Sequence, residues 1–318
     1  MKYRTLGRTK LQVSALALGT VELGMDYGIE VDGNYGKPST NDAIRLVHAA
    51  LDRGINFIDT ARAYGESEAV LGQALQGKRD QVVLATKVVT HNTDGAVLTG
   101  ATLQQQMWAS LETSLKMLQT DYVDLWQIHN VDAALLKQQD SIRTVFEQAQ
   151  QKGYVRAVGG STYGVSAPQQ AIEQDLFDTL QVTYSVLDQR LADHVFDLAK
   201  TKNIGIIVRS VLLQGVLTER ADHLPDHLSL LKERSRQFRK LVLDATPNLK
   251  PAQLAIAFGL AHPDIASVLV GVRTEAELRE DIQALQAELP DELLAQLYQL
   301  RLDDDALLNP GTWHDTVS

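Results

Sequence analysis

The chain of 318 residues contains no cysteine. This excludes disulfides, thiolate metal ligands and cysteine nucleophiles, and we predict no metal site. Long apolar runs are also missing, since stretches such as SALALG and GIIV are far shorter than the roughly 20 residues of a membrane span. The first ten residues show no signal-peptide core. We therefore expect a cytoplasmic protein that makes no membrane contact.

The chain has fewer basic than acidic residues, since 30 Lys and Arg stand against 40 Asp and Glu, which gives a net charge of −10. An acidic chain is a poor partner for nucleic acid or for an anionic membrane surface. Any anionic ligand would need a local basic pocket that overcomes the negative electrostatic potential of the whole protein. The sequence leaves the oligomeric state open.

The two standard nucleotide-binding fingerprints, GxGxxG and GxxxxGK[ST] between a strand and a helix, do not occur. What the chain does contain, after a hairpin-like start, is an alternation of short β-branched runs with stretches of helical periodicity. Helices are predicted at 41–53 and 102–118. Strands are predicted at 15–19, 56–59, 82–87, 123–129, 155–159, 179–184, 205–209 and 267–271.

Eight strand–helix units predict a single α/β domain over residues 1–318, a (β/α)8 TIM barrel with an N-terminal hairpin and a C-terminal extra helix and tail. The polar stretch 216–247 is interpreted as an insertion after strand seven, helical over 228–243. Gly54, Gly153 and Gly205 stand where helix gives way to strand, so each is predicted to cap a helix.

Four polar residues fall at or just after the ends of successive strands: Asp59, Tyr64, Lys87 and His129. In such a barrel this rim carries the chemistry. A buried lysine needs a counter-ion, which Asp59 supplies, and a cation beside a tyrosine favours the phenolate. A histidine nearby can orient a substrate oxygen. The set suits proton delivery to a carbonyl oxygen.

Each residue also has an ordinary structural interpretation. A lysine at a strand end is commonly a solvated or ion-paired rim residue, and a lone histidine is commonly a satisfied structural one. Asp59 can belong to a loop or cap, and Tyr64 can pack in a turn. The four together, at successive rim positions, favour a site.

The sequence resembles the aldo-keto reductase superfamily. The resemblance rests on RTLGRTKLQVSALALGT, INFIDTARAYGESEAVLG, LATKV, SLKMLQTDYVDLWQIHN, VRAVGGST and SVLVGVRTEAELRED, which run from residue 3 to about 281. It implies a barrel that binds a nicotinamide cofactor and passes hydride to a carbonyl carbon. It also implies a catalytic tetrad of Asp59, Tyr64, Lys87 and His129, in which Tyr64 is the general acid. Gly65 would let the chain turn into the next helix.

At the cofactor positions, some residues match those of the family and others differ. Arg209 stands where the family often has an aromatic residue stacked on the nicotinamide, and a guanidinium can also stack. Ser161 matches one member of the family's Ser-Asn pair at the carboxamide, but the second position is Thr162. The full set of expected cofactor contacts is Gly19, Thr20, Asp59, Ser161, Gln181, Arg209, Ser210, Leu212, Gln214, Gly215, Gly271, Arg273, Glu277 and Asp281.

The expected cofactor is NADP(H), with NAD(H) as the second candidate. Arg273 is the natural partner of a 2′-phosphate. Glu277 and Asp281 oppose that choice, since they replace the family's Gln and Asn and a carboxylate repels a phosphate. The loop GTVELGMDYGIEVDGNYGKPS is similar to a bacterial subgroup associated with sugar metabolism, and Trp313 in the tail is a candidate lid residue.

Three functional hypotheses follow. The first is an NAD(P)H-dependent reductase of an aldehyde or ketone, with a small-molecule substrate for which a sugar is one candidate. The second is a nicotinamide-binding regulatory or scaffold subunit with little turnover, since fold does not fix function. The third is a lyase that uses Lys87 as a Schiff base, which a protonated lysine beside Asp59 opposes.

Overall fold

Eight parallel strands close into a barrel in the computed structural model, which describes residues 1–31 and 35–313. Neighbours in the ring follow chain order, and the last strand pairs with the first. The predicted (β/α)8 barrel is therefore confirmed. Its strands are β3 (Leu16–Gly19), β4 (Phe57–Asp59), β5 (Val83–Val88), β6 (Val123–Val131), β7 (Val155–Thr162), β8 (Thr179–Thr183), β9 (Gly205–Arg209) and β10 (Ile265–Gly271).

The predicted N-terminal hairpin is formed by β1 (Tyr3–Thr5) and β2 (Gln12–Ser14), which pair antiparallel. Leu6, Leu11 and Val13 from this hairpin join the apolar cluster inside the barrel. The hairpin thereby closes the end of the barrel opposite to the carboxyl ends of the strands.

Helices surround the barrel and supply the crossovers between its parallel strands. They are α1 (Val21–Gly24), α2 (Thr40–Asp52), α3 (Ser67–Ala74), α4 (Gly100–Leu118), α5 (Ala133–Leu136), α6 (Gln139–Gln151), α7 (Ser166–Glu173), α8 (Arg190–His194), α9 (Phe196–Thr201), α10 (Ser229–Ala245), α11 (Pro251–Ala261), α12 (Glu275–Gln283), α13 (Asp291–Tyr298) and α14 (Asp305–Leu308). Across residues 1–31 and 35–313, no helix has both the length and the apolar content of a membrane span.

The segment after β9 contains short 3-10 turns and then α10, close to the helix predicted at 228–243. Leu231, Phe238 and Val242 of α10 are buried in the same apolar cluster as the helices around the barrel.

The inward-facing side chains of the strands change from apolar to polar toward the carboxyl ends of the strands. Side chains alternate between the two faces of a strand, so residues two apart share a face. Phe57 and Ala85 lie in the inner apolar cluster, whereas two residues later the same strands carry Asp59 and Lys87, both buried. The carboxyl-terminal mouth is therefore polar inside, although the body of the barrel is apolar.

The predicted cap at Gly205 is wrong. Gly54 and Gly153 do have positive φ values of 84° and 76°. At the third position Asn203 takes the left-handed conformation instead, with φ 52°, and Gly205 begins β9. Glycine is needed at 205 for space, because a Cβ there would lie 2.7 Å from the Leu6 side chain.

Candidate functional site

One cavity of about 430 Å³ opens at the carboxyl ends of the strands. Three of the four predicted catalytic residues line it, namely Asp59, Tyr64 and His129. Lys87 lies just beneath the wall, in contact with Asp59 and Tyr64. All the predicted cofactor positions also line this cavity: Gly19, Thr20, Asp59, Ser161, Gln181, Arg209, Ser210, Leu212, Gln214, Gly215, Gly271, Arg273, Glu277 and Asp281.

The Lys87 ammonium is buried and has an acceptor for each of its three hydrogens. Its Nζ donates to Asp59 Oδ2 at 2.5 Å, to the Thr60 carbonyl at 3.0 Å and to the Tyr64 hydroxyl at 3.4 Å. Desolvation opposes the charge, yet Asp59 and Tyr64 outweigh it and the pKa of Lys87 is raised. Lys87 is therefore a fixed cation beneath the phenol, which does not suit a Schiff-base nucleophile.

Two close backbone approaches fix the position of Tyr64. Gly65 has φ 54°, and a Cβ on it would collide with the Gly24 carbonyl. A Cβ on Gly24 would in turn collide with the Tyr64 carbonyl. The turn after β4 is thereby locked against α1 and leads directly into α3, so the Tyr64 ring reaches back over Lys87, whose Nζ lies 4.9 Å from the ring centroid.

His129 is a neutral neighbour of the phenol. Its ring lies edge-to-face with Tyr64, with 5.4 Å between the ring centroids. Burial lowers the pKa of His129 to about 3, and the charges of Lys87 and Arg209 act in the same direction. A neutral imidazole offers one N–H donor and one acceptor, which suits the orientation of a substrate oxygen.

Two glutamines support Asp59 from the other side. Gln127 and Gln181 both donate to Asp59 Oδ1, each at 2.9 Å. The predictions included Gln181 as a cofactor contact but missed Gln127. The available signal was the alternation of β6, which places Gln127 on the same inward face as His129.

Arg209 occupies the mouth of the cavity without a carboxylate partner in the part of the chain that the structure describes. Its guanidinium donates to Ser161 Oγ at 3.2 Å, to Ser210 Oγ at 3.3 Å and to the Thr162 carbonyl at 2.9 Å. Its Cζ also stacks 3.9 Å from the centroid of the Tyr163 ring. Arg209 is thus a local positive charge held entirely by neutral groups.

The loop after β9 has an unusual backbone. Ser210, Leu213 and Gln214 all have φ between 47° and 57°, a conformation that non-glycine residues rarely adopt. Leu212, with φ −95° and ψ 0°, precedes the left-handed Leu213. This right-then-left sequence turns successive N–H groups toward one concave side, which is an anion-binding arrangement.

The far end of the cavity carries more acid than base, and we call Glu22, Arg273, Glu277 and Asp281 its acidic end. Glu277 Oε2 accepts from the Arg273 amide at 2.7 Å, and Glu22 pairs with the Arg273 guanidinium at 3.3 Å. Glu22 was not among the predicted residues. It stands only two residues after Thr20, and a lone Glu in an exposed-looking loop gives no sequence signal.

Burial raises the pKa of Asp281 to about 8, with Glu277, Glu22 and Glu280 adding to the effect. In the unfolded chain this carboxyl ionises near its ordinary 3.8. Folded-state stability therefore falls as pH rises between these two values. We expect Asp281→Asn to raise Tm over wild type more at pH 8.5 than at pH 5.5, by roughly 1–2 °C per kcal/mol relieved in a chain of 318 residues. Calorimetry of the free protein tests this, with the exposed Asp244→Asn as control, and an equal gain at both pH values would contradict it.

The first loop and the tail both reach the cavity. Tyr27 lines it and receives a hydrogen bond from Gln214 at 3.2 Å, and burial raises the pKa of Tyr27 to about 12. Residues 32–34 of the loop and 314–318 of the tail lie outside the described residues. The Trp313 side chain, the candidate lid, is buried in the main apolar cluster rather than at the cavity wall, and it donates to the Leu307 carbonyl. From the tail, Pro310 and Gly311 line the cavity.

A sequence profile of the Aldo/keto reductase family matches residues 15–301. The curated relative "Uncharacterized oxidoreductase YrpG" of Bacillus subtilis (strain 168) is 32% identical, over 93% of this chain and 95% of that one. "NADH-specific methylglyoxal reductase" of Escherichia coli (strain K12) is 28% identical, over 92% and 95%. The solved structure "aldo-keto reductase AKR11C1 from Bacillus halodurans (holo form)" matches with a TM-score of 0.77 at 26% identity, covering 94% of this chain and 96% of that chain.

Proposed function

Because the chain belongs to the aldo/keto reductase family, whose members are oxidoreductases acting on carbonyls, we propose that it is an NAD(P)H-dependent enzyme that reduces an aldehyde or ketone to an alcohol. The observation that carries the proposal is the contact of the Lys87 ammonium with both Asp59 and Tyr64 at the wall of a large cavity. A charged ammonium in contact with a phenol stabilises the phenolate that is left when a proton is transferred to a substrate.

The chain's own residues have separate roles in this proposal. Tyr64 donates the proton to the carbonyl oxygen, and Lys87 stabilises the phenolate that remains. Asp59, held by Gln127 and Gln181, keeps Lys87 charged. Neutral His129, beside the phenol, donates a hydrogen bond that holds the substrate oxygen within reach.

The cavity fits a nicotinamide dinucleotide, which supplies the hydride when bound. The concave amide arrangement at Leu212 and Leu213 suits the pyrophosphate. Ser161 and Gln181 can hold the carboxamide, and the hydroxyl and amide that they offer lie buried at adjacent register positions. Arg209 would contact the nicotinamide end, because it already bonds Ser161.

We assign NADP(H) as the preferred cofactor and NAD(H) as the second candidate, with Arg273 as the partner of the 2′-phosphate. Arg273→Ala is expected to weaken NADPH by about 1.5–3 kcal/mol, the range for a lost charged hydrogen-bond partner, and to spare NADH. Calorimetric titration of both dinucleotides measures this. The exposed Arg279→Ala on α12, the helix that follows Arg273, is the control. An equal loss for both dinucleotides would show that Arg273 does not read the phosphate.

The substrate is a small carbonyl compound, and the likeness of the first loop to sugar-linked relatives makes sugars and sugar-derived aldehydes the first candidates. We place the enzyme in the cytoplasm, since a chain without cysteine suits a reducing compartment.

The test is oxidation of NADPH and NADH, followed at 340 nm, with a panel of aldehydes, ketones and sugars. Carbonyl-dependent loss of absorbance supports the reductase. Tight dinucleotide binding with no turnover across the panel would favour the regulatory-subunit hypothesis instead.

A further inference from the structure

Glu22 lies in α1, which begins two residues after the end of β3, and it lines the cavity. Its side chain is only 14% exposed. One carboxylate oxygen, Oε1, lies 3.3 Å from Arg273 Nη2. The other, Oε2, lies so close to Gly271 that a Cβ at that position would collide with it. The carboxylate therefore lies against the end of β10.

The ion pair between Glu22 and Arg273 is incompletely satisfied. Glu22 Oε2 is buried and has no hydrogen-bond partner within residues 1–31 and 35–313, and the same holds for Arg273 Nε. Arg273 Nη2 also donates to the Tyr27 carbonyl at 2.5 Å. A buried acceptor without a partner is costly, by about 1–3 kcal/mol. Glu22 Oε2 can thus accept a hydrogen bond from a ligand in the cavity.

Carboxylates offset the basic residues around this oxygen. Glu22 and Glu277 line the cavity beside the bases Arg220 and Arg273, and Asp281, whose pKa is raised to about 8, adds negative charge only above neutral pH. Burial raises the pKa of Glu22, and Arg273 opposes that shift. Part of the positive charge that a phosphate needs is therefore already neutralised by carboxylates.

We propose that Glu22 is a residue that selects between the two nicotinamide dinucleotides. Glu22 lowers the affinity for NADP(H), the 2′-phosphorylated form, and so reduces the preference for NADP(H) over NAD(H) that Arg273 provides. The inference rests on the proposed function, because it assumes that a dinucleotide occupies this cavity. A ribose hydroxyl can donate to a carboxylate oxygen, whereas a 2′-phosphate presents only acceptors. When ionised beside Arg273, the Glu22 carboxylate also repels a phosphate dianion.

The test is calorimetric binding of NADPH and NADH to the free protein, without substrate. Glu22→Gln keeps the shape of the side chain and removes its charge. We expect it to bind NADPH about tenfold or more tightly than wild type, with NADH changed less than about threefold. The same contrast is expected for the fragments 2′,5′-ADP and 5′-ADP. Glu275→Gln removes an exposed charge from the first turn of α12. This control is expected to leave the affinities for NADPH and NADH unchanged.

Unchanged or weaker NADPH binding by Glu22→Gln would overturn the inference, since it would mean that Glu22 is neutral or positions Arg273 for the phosphate. If that variant fails to fold, Glu22→Ala removes the same charge and gives the same comparison. Wild type that binds neither dinucleotide would instead refute the proposed function, and the inference with it.

Discussion

Replacement of Tyr64 by phenylalanine is expected to lower kcat by about 100-fold or more, the contribution typical of a positioned general acid. The hydroxyl is the group that receives a hydrogen bond from Lys87 Nζ. The ring itself, which packs edge-to-face on His129, remains in the variant. Affinity for the cofactor should therefore change little, and the loss should fall on kcat and on kcat/KM together.

Tyr27→Phe is the matched comparison, because Tyr27 is a second phenol in the same cavity. Its hydroxyl receives a neutral amide hydrogen bond from Gln214 rather than one from a lysine. We expect this variant to lose much less activity than Tyr64→Phe. Equal losses, or full activity of Tyr64→Phe, would remove Tyr64 from its role as the acid.

Replacement of Lys87 by methionine is expected to abolish most turnover and to destabilise the fold by roughly 3–5 kcal/mol, the cost of leaving one partner of a buried pair alone. Lys87 is fully buried and Asp59 nearly so. Without the ammonium, the Asp59 carboxylate keeps, among residues 1–31 and 35–313, only the two amide donors from Gln127 and Gln181. Chemical denaturation of the single variant measures the loss of stability.

The double variant Lys87→Met with Asp59→Asn separates stability from catalysis. It removes both charges, so most of the lost stability should return, because replacing a whole buried pair is commonly close to neutral. Activity should stay low, since no cation remains beneath Tyr64. Additive destabilisation by the two changes, or recovery of turnover in the double variant, would contradict the coupling between Asp59 and Lys87.

Much of the architecture is predictable because a polar residue follows the apolar run at the end of several strands. Asp59 and Lys87 each follow an apolar residue on the same strand face, and a parallel barrel brings all such ends to one mouth. The positions from Gly19 to Asp281 that the resemblance assigned to the cofactor line one cavity, although their roles stay predictions.

What the sequence did not reveal depends on contacts between distant segments. The burial of Glu22 arises from α1 meeting the end of β10, about 250 residues later in the chain. Gln127 lies in an ordinary strand, and only its bond to Asp59 distinguishes it. Local rules predict a helix cap at Gly205 because they do not include the packing of Leu6 against it. The same limit applies to Trp313, whose burial depends on how the tail folds back onto the barrel helices.

The most direct measurement of the central claim uses reduced cofactor carrying deuterium at C4 of the nicotinamide. Wild-type protein, labelled NADPH or NADH and the best carbonyl substrate of the panel are incubated, and the alcohol is analysed by mass spectrometry. We expect one deuterium on the former carbonyl carbon in wild-type product, and at least about 100-fold less labelled product per unit time from Tyr64→Phe. Alcohol formed without deuterium from either face of the cofactor, or equal labelling rates in both proteins, would contradict it.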